Sequence, residues 1–168
     1  MFPVLLCSLL LAPLPRVPRT RARAPLPVLP ASISISVKSA TGETRATSLP
    51  KQPQAQPRAG AAIKAGEKPQ IRWQVRNLDS KAPVRNVVVH FLIRRVDTAA
   101  VRTRGGTQAG SLADSLLGTE LSPRGAAMGD YNTAIHEPGA YLVEVELLDP
   151  QGNRRQYCAL DLKVERSP

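Results

Sequence analysis

Residues 71–77 read IRWQVRN, and their alternation decides the fold class. Ile71, Trp73 and Val75 fall on one side of an extended chain and Arg72, Gln74 and Arg76 on the other, the pattern of a strand with one buried face. Asn77-Leu78-Asp79-Ser80-Lys81 then breaks the strand with turn-forming residues. Further on, residues 87–93 (VVVHFLI) form a near-continuous, β-branched apolar run, which predicts a central strand covered on both faces. Tyr131, Thr133 and Ile135 alternate again as far as Pro138-Gly139. Tyr141, Val143, Val145 and Leu147 then face one way, with Glu144 and Glu146 facing the other. Asp149-Pro150-Gln151-Gly152 carries the signature of a type I turn. A last strand runs to about Glu165, with Cys158, Leu160, Leu162 and Val164 on its inner face.

Working back toward the N-terminus, Ile63 closes a short strand before the turn Ala65-Gly66-Glu67-Lys68, and residues 32–37 (SISISV) alternate strictly. Between them, residues 41–60 are polar and rich in Pro and Gln, and read as a flexible or polyproline-like linker. About seven strands with regular turn signals and almost no amphipathic helix predict an all-β fold, an antiparallel β-sandwich over residues 60–166. One long segment, 97–118, is irregular. Ser111 with Asp114 resembles a helix capping box before Leu116, and Leu112 to Leu121 reads equally as an edge strand. A disordered loop is the third option, and the residues do not choose among them.

The chain has 168 residues, enough for one domain and a tail. Its 42% hydrophobic content allows a true core, although aromatic residues make up only 4%. Two cysteines, Cys7 and Cys158, exclude a disulfide scaffold. The net charge is +10, from 23 Lys and Arg against 13 Asp and Glu.

Residues 1–31 read as a signal peptide or leader and as a disordered N-terminal segment, with residues 32–59 as a first strand and linker. The apolar run Val4–Ala12 is nine residues long, which suits a signal-peptide core and is about half of what a membrane-spanning helix needs. Arg16, Arg19, Arg21 and Arg23 follow the run rather than precede it. Cleavage after Ala24 is opposed by Pro25, and Ala31 is an alternative site. Cleavage near Ala31 would lower the net charge from +10 to +6. Leu6 is too bulky for lipidation at Cys7. The expected location is secreted or periplasmic, with no integral membrane span.

The stretches IKAGEKPQIRWQVRN, PVRNVVVHFLI and HEPGAYLVEVELLDPQGNR together resemble bacterial immunoglobulin-like modules, particularly the cell-adhesion-related (CARDB-like) type. The resemblance spans roughly residues 58–166 and implies an Ig-like or fibronectin-III-like sandwich with a surface or adhesive role. Glu137-Pro138-Gly139-Ala140-Tyr141 is similar to the tyrosine corner of such sandwiches. Val143 stands where antibody domains place a cysteine, and Trp73 would be the buried indole between the sheets. Trp73, Phe91, Tyr141, Val143 and Cys158 form the expected core. The resemblance implies architecture and transfers no site residues.

Candidate chemistry is sparse. His90, His136, Cys158 and Met128 have the atom types of a cupredoxin-like copper site, but no His or Met follows Cys158 as cupredoxin order requires. With two histidines and no recognisable nucleophile, no enzyme is expected, nor any cofactor or small-molecule substrate. The expected function is a binding or structural module that meets a protein partner through a sheet edge or through the 97–118 segment. The alternative is an acidic polymer such as a glycan, lipopolysaccharide or nucleic acid. It would be held by Arg94, Arg95, Arg102, Arg104, Arg154 and Arg155.

Overall fold

The computed structural model describes residues 28–52, 57–96 and 111–167. Most of the segment expected to be a leader, residues 1–31, therefore lies outside the described residues. Nine strands, and no helix, are found among those residues. They are β1 (Ala31–Ser39), β2 (Gly42–Ser48), β3 (Gly60–Lys64), β4 (Gln70–Asn77), β5 (Val84–Arg95), β6 (Ser111–Leu121), β7 (Ala126–Tyr131), β8 (Gly139–Leu148) and β9 (Arg154–Glu165). Among the described residues, no helix is long and apolar enough to cross a membrane.

The strands form two sheets, a smaller one ordered β2-β1-β4-β7 and a larger one ordered β3-β9-β8-β5-β6. In β1 and β4 the alternation does what one buried face requires. Ile33, Ile35 and Val37 share that face with Ile71, Trp73 and Val75, and all are buried. Opposite them, the larger sheet presents Val87, Val89, Phe91 and Ile93 from β5, Tyr141, Val143, Val145 and Leu147 from β8, and Cys158, Leu160 and Leu162 from β9. Trp73 and Phe91 meet across the interior with ring centroids 6.4 Å apart and 28° between planes. Beside the indole lies Gly129 of β7, where an added Cβ would sit 2.7 Å from the ring. Val143 and Cys158 are fully buried.

This order, with β1, β4 and β7 facing β5, β8 and β9, is the connectivity of an immunoglobulin-like sandwich. The tyrosine corner is formed as well: the Tyr141 hydroxyl donates to the Glu137 carbonyl at 2.9 Å, and the ring is buried. Asp149 and Gly152 close the β8–β9 turn with an amide–carbonyl bond of 2.8 Å.

Four elements differ from the sequence expectation. Residues 42–48, placed in the linker, are strand β2, paired along its whole length with β1. Its buried positions are Ala46 and Ser48, too small to give an apolar signal. The sandwich therefore begins at β1 rather than at residue 60. The short strand β3 runs parallel, not antiparallel, to β9. The strand expected through Ile135 ends at Tyr131. Ile135 is buried from a non-strand segment whose backbone bonds Gly66 and Glu67. Of the options left open for the irregular segment, residues 111–121 take the edge strand, while 97–110 lie outside the described residues. Among the described residues, the run at 87–93 is covered by a second sheet on one face only. Val88, His90 and Leu92 look away from the interior.

Candidate functional site

The outward face of the larger sheet carries a ladder of charge. Register places His90 between Leu116 of β6 and Glu146 of β8, with Tyr157 beyond. The imidazole bonds Asp114 through Nε2 at 2.9 Å and Glu146 through Nδ1 at 3.2 Å. Glu146 also meets Arg154 at 3.1 Å, and the Arg154 guanidinium lies 4.9 Å above the Tyr157 ring. One row away, Arg94 pairs with Glu144, which also accepts the Tyr157 hydroxyl at 2.8 Å. The ladder ties four strands, β6, β5, β8 and β9, on a face over which the described residues place no second layer.

The hydrogen bond to Glu146 holds His90 above the ordinary imidazole range. Partial burial opposes this, and Asp114 adds to it. The same bond holds Glu146 below the ordinary carboxylate range, against its own desolvation. A raised imidazole adds stability that is complete below its unfolded pKa and is lost as pH rises through the folded value. A lowered carboxylate adds stability that is lost as pH falls through its folded value. The melting temperature should therefore decline from about pH 6 to about pH 8. In His90→Gln that decline should vanish, and an unchanged slope in that variant would remove His90 as its source. Thermal denaturation across this range decides the matter.

With both ring nitrogens engaged by carboxylates, His90 has no lone pair to offer as a general base. The copper set does not converge. Cys158 points into the interior, His90 points out of the same sheet, His136 is in an exposed loop, and Met128 is 67% exposed on β7. Burial pushes the Cys158 thiol up to about 12, so it behaves as a small core hydrophobe. Among the described residues no group of three His, Cys, Asp or Glu is arranged to hold a metal ion.

The arginines expected to bind a polyanion are mostly occupied. Arg94 pairs with Glu144 and Arg154 with Glu146. Arg95 bonds Glu137 and the Pro138 carbonyl, each at 3.0 Å, at one end of the sandwich. Arg155, on the other side of the β8–β9 turn, lies 4.0 Å from Asp149. Arg102 and Arg104 lie outside the described residues. The structure thus brings Arg94 and Arg154 onto one face and spends their charge on carboxylates of β8.

A different basic surface lies on the outward face of the smaller sheet. Arg45 of β2, Ser36 of β1, Arg72 of β4 and Asp130 of β7 form one row across it. Thr47, Ser34, Gln74 and Met128 form the next. Arg76 lies further along β4, beside Ser32. Arg45, Arg72 and Arg76 are exposed, and none forms an ion pair among the described residues. The alternation of Arg72 and Arg76 with Ile71, Trp73 and Val75 already places two of them on this face. Arg45 joins them only because β2 exists.

The sandwich also has one conspicuous edge. Strand β6 pairs with β5 on one side, and both of its faces are largely exposed. Leu116 is 66% and Leu117 45% exposed, on opposite faces. The segment SLADSLLGTEL holds no Lys, Arg or Pro, the residues that usually blunt an edge. Its two acids are neutralised by β5, Asp114 by His90 and Glu120 by Arg85.

No protein-family model matches this sequence, and no curated protein matches it.

Proposed function

We propose that this chain is an exported, non-enzymatic sandwich module, related to the CARDB-like modules, that binds an extended strand of a protein partner along β6. The β6 edge carries the reading. It is eleven residues long, presents apolar side chains on both faces, and holds no Lys, Arg or Pro to deter strand addition. A partner strand beside β6 would satisfy the outward-pointing backbone groups and cover Leu112 and Leu116 on one face and Leu117 on the other. The other edges are less suited: β3 has five residues and β7 six, and β2 bears Arg45. Export rests on the apolar run Val4–Ala12, and a secreted or periplasmic site would bring the edge to envelope or extracellular proteins.

The test uses an array of ten-residue peptides tiling proteins exported by the same cell. Capture of peptides with alternating apolar residues is expected, with slowed amide exchange confined to β6 and the captured strand. Leu116→Lys and Leu117→Lys should abolish capture while leaving the melting temperature within about 2–4 °C, as surface changes do. Capture that survives both substitutions, or protection centred on β2 or β7, would overturn the assignment. Dimerisation of the chain that these substitutions block would instead make a second copy the occupant of the edge.

A further inference from the structure

We infer that the outward face of the smaller sheet binds an acidic polysaccharide, a chain that carries both carboxylates and hydroxyls. The inference is independent of the β6 edge, which belongs to the other sheet. A hollow of about 530 Å³ opens on this face, lined by Ser34, Ser36, Arg45, Arg72, Gln74 and Asp130 among others. Two guanidiniums there have no carboxylate partner among the described residues. Arg72 instead lies beside a neutral group, the side-chain amide of Gln70; with that amide turned so that its oxygen faces the guanidinium, it accepts from Arg72 at 2.7 Å and leaves the charge uncancelled. Such a group is poised for an external carboxylate.

The lining selects among anions. Ser36 stands between Arg45 and Arg72 in register, and Ser34 lies in the next row between Thr47 and Gln74; both are small hydroxyls, so a ligand can approach the strand backbone closely. Asp130 at the end of the row is an acceptor. It would repel a uniformly charged phosphate chain, but it would accept hydrogen bonds from sugar hydroxyls while the arginines take the carboxylates. Arg76 extends the basic character roughly 13 Å along β4 from Arg72, which suits a linear chain rather than a single ion. Nucleic acid is disfavoured because the described residues offer no ring on this face for base stacking. Trp73, at the floor of the hollow, is 7% exposed and stacks with Phe91 in the interior.

The experiment measures binding of the full chain to polygalacturonate, with inorganic polyphosphate and oligo-dT as competitors of equal charge. Polygalacturonate should bind tightest of the three. The double variant Arg45→Gln with Arg72→Gln should weaken it about tenfold or more, as loss of charge-assisted bonds does. Arg85→Gln, which removes an exposed charge on the other sheet, should change it less than about twofold. Asp130→Asn should weaken polygalacturonate and strengthen polyphosphate, a reversal that general electrostatic attraction cannot produce. Absence of polygalacturonate binding, equal losses from Arg85→Gln, or tighter binding of oligo-dT would each overturn the inference. All the substituted side chains face solvent, and a melting temperature held within about 2–4 °C shows that each variant remains folded.

Discussion

Trp73→Ala should lower the unfolding free energy by about 3–5 kcal/mol, the cost of removing a large aromatic side chain from a packed interior. The indole is 7% exposed and bridges the two sheets through Phe91. Its other neighbour, Gly129, has no side chain with which to refill the space. The void would thus open where both the opposite sheet and the adjacent strand are least able to collapse. For a domain of this size the loss corresponds to roughly 10–15 °C in melting temperature. Urea unfolding followed by far-ultraviolet circular dichroism measures it, and a loss under about 1 kcal/mol would mean that the Trp73–Phe91 contact does not join the sheets.

The second large effect belongs to a polar residue. Asn77 is 1% exposed at the end of β4. Its Nδ2 donates toward three carbonyls, those of Ala82 at 2.8 Å, Leu121 at 3.2 Å and Ser122 at 3.1 Å. Its Oδ1 accepts the Asp79 amide at 2.9 Å. One side chain thereby fastens the turn after β4 to the end of β6 in the opposite sheet. Asn77→Ala should cost about 2–4 kcal/mol, more than a single neutral hydrogen bond, because several buried groups lose their partner together. Asn77→Asp separates this cause from lost volume. It keeps the shape and the acceptor but turns an oxygen toward three carbonyl oxygens, so it should destabilise at least as much. If Asn77→Asp were tolerated in a chemical-denaturation series, the donor role would be refuted.

How much could be read before the structure depended on what each strand buries. Ile71–Val75, Tyr141–Leu147 and Cys158–Val164 were legible because each sets large apolar residues against a full interior, so period two is written plainly. Strand β2 was not, because it closes the tapering edge with Ala46 and Ser48. Strand β7 hides its period at Gly129, the position the indole needs empty. In β6 neither face is well covered, so its pairing with β5 leaves little apolar pattern to read. The arginines show a different gap. Arg94 and Arg154 each read as part of a basic pair in the sequence, beside Arg95 and Arg155, yet register sets each against a glutamate of β8. Charge cancellation of this kind is a property of strand neighbours and is invisible along the chain. Arg45 gains its place beside Arg72 by the same route, through a hairpin that the composition of residues 42–48 conceals.

The chain enters and leaves the sandwich at opposite poles. At one end the Pro30 carbonyl accepts the Leu78 amide, and β1 begins beside Asn77. At the other, the Glu165 carbonyl accepts the Ala65 amide, and the turn after β1 is tied to the same end by Glu67, whose carboxylate takes the Ala40 amide at 2.8 Å. Strands β1, β3 and β9 therefore all run toward that second pole. Tension applied between the two termini acts along the strands, while the bonds holding them lie mainly across that direction. Under such a load β1 must slide against β2 and β4 together, and β9 against β3 and β8, so that whole ladders give way at once instead of opening bond by bond. Set between neighbours in a longer tether, the module would bear tension as a lap joint does, in shear.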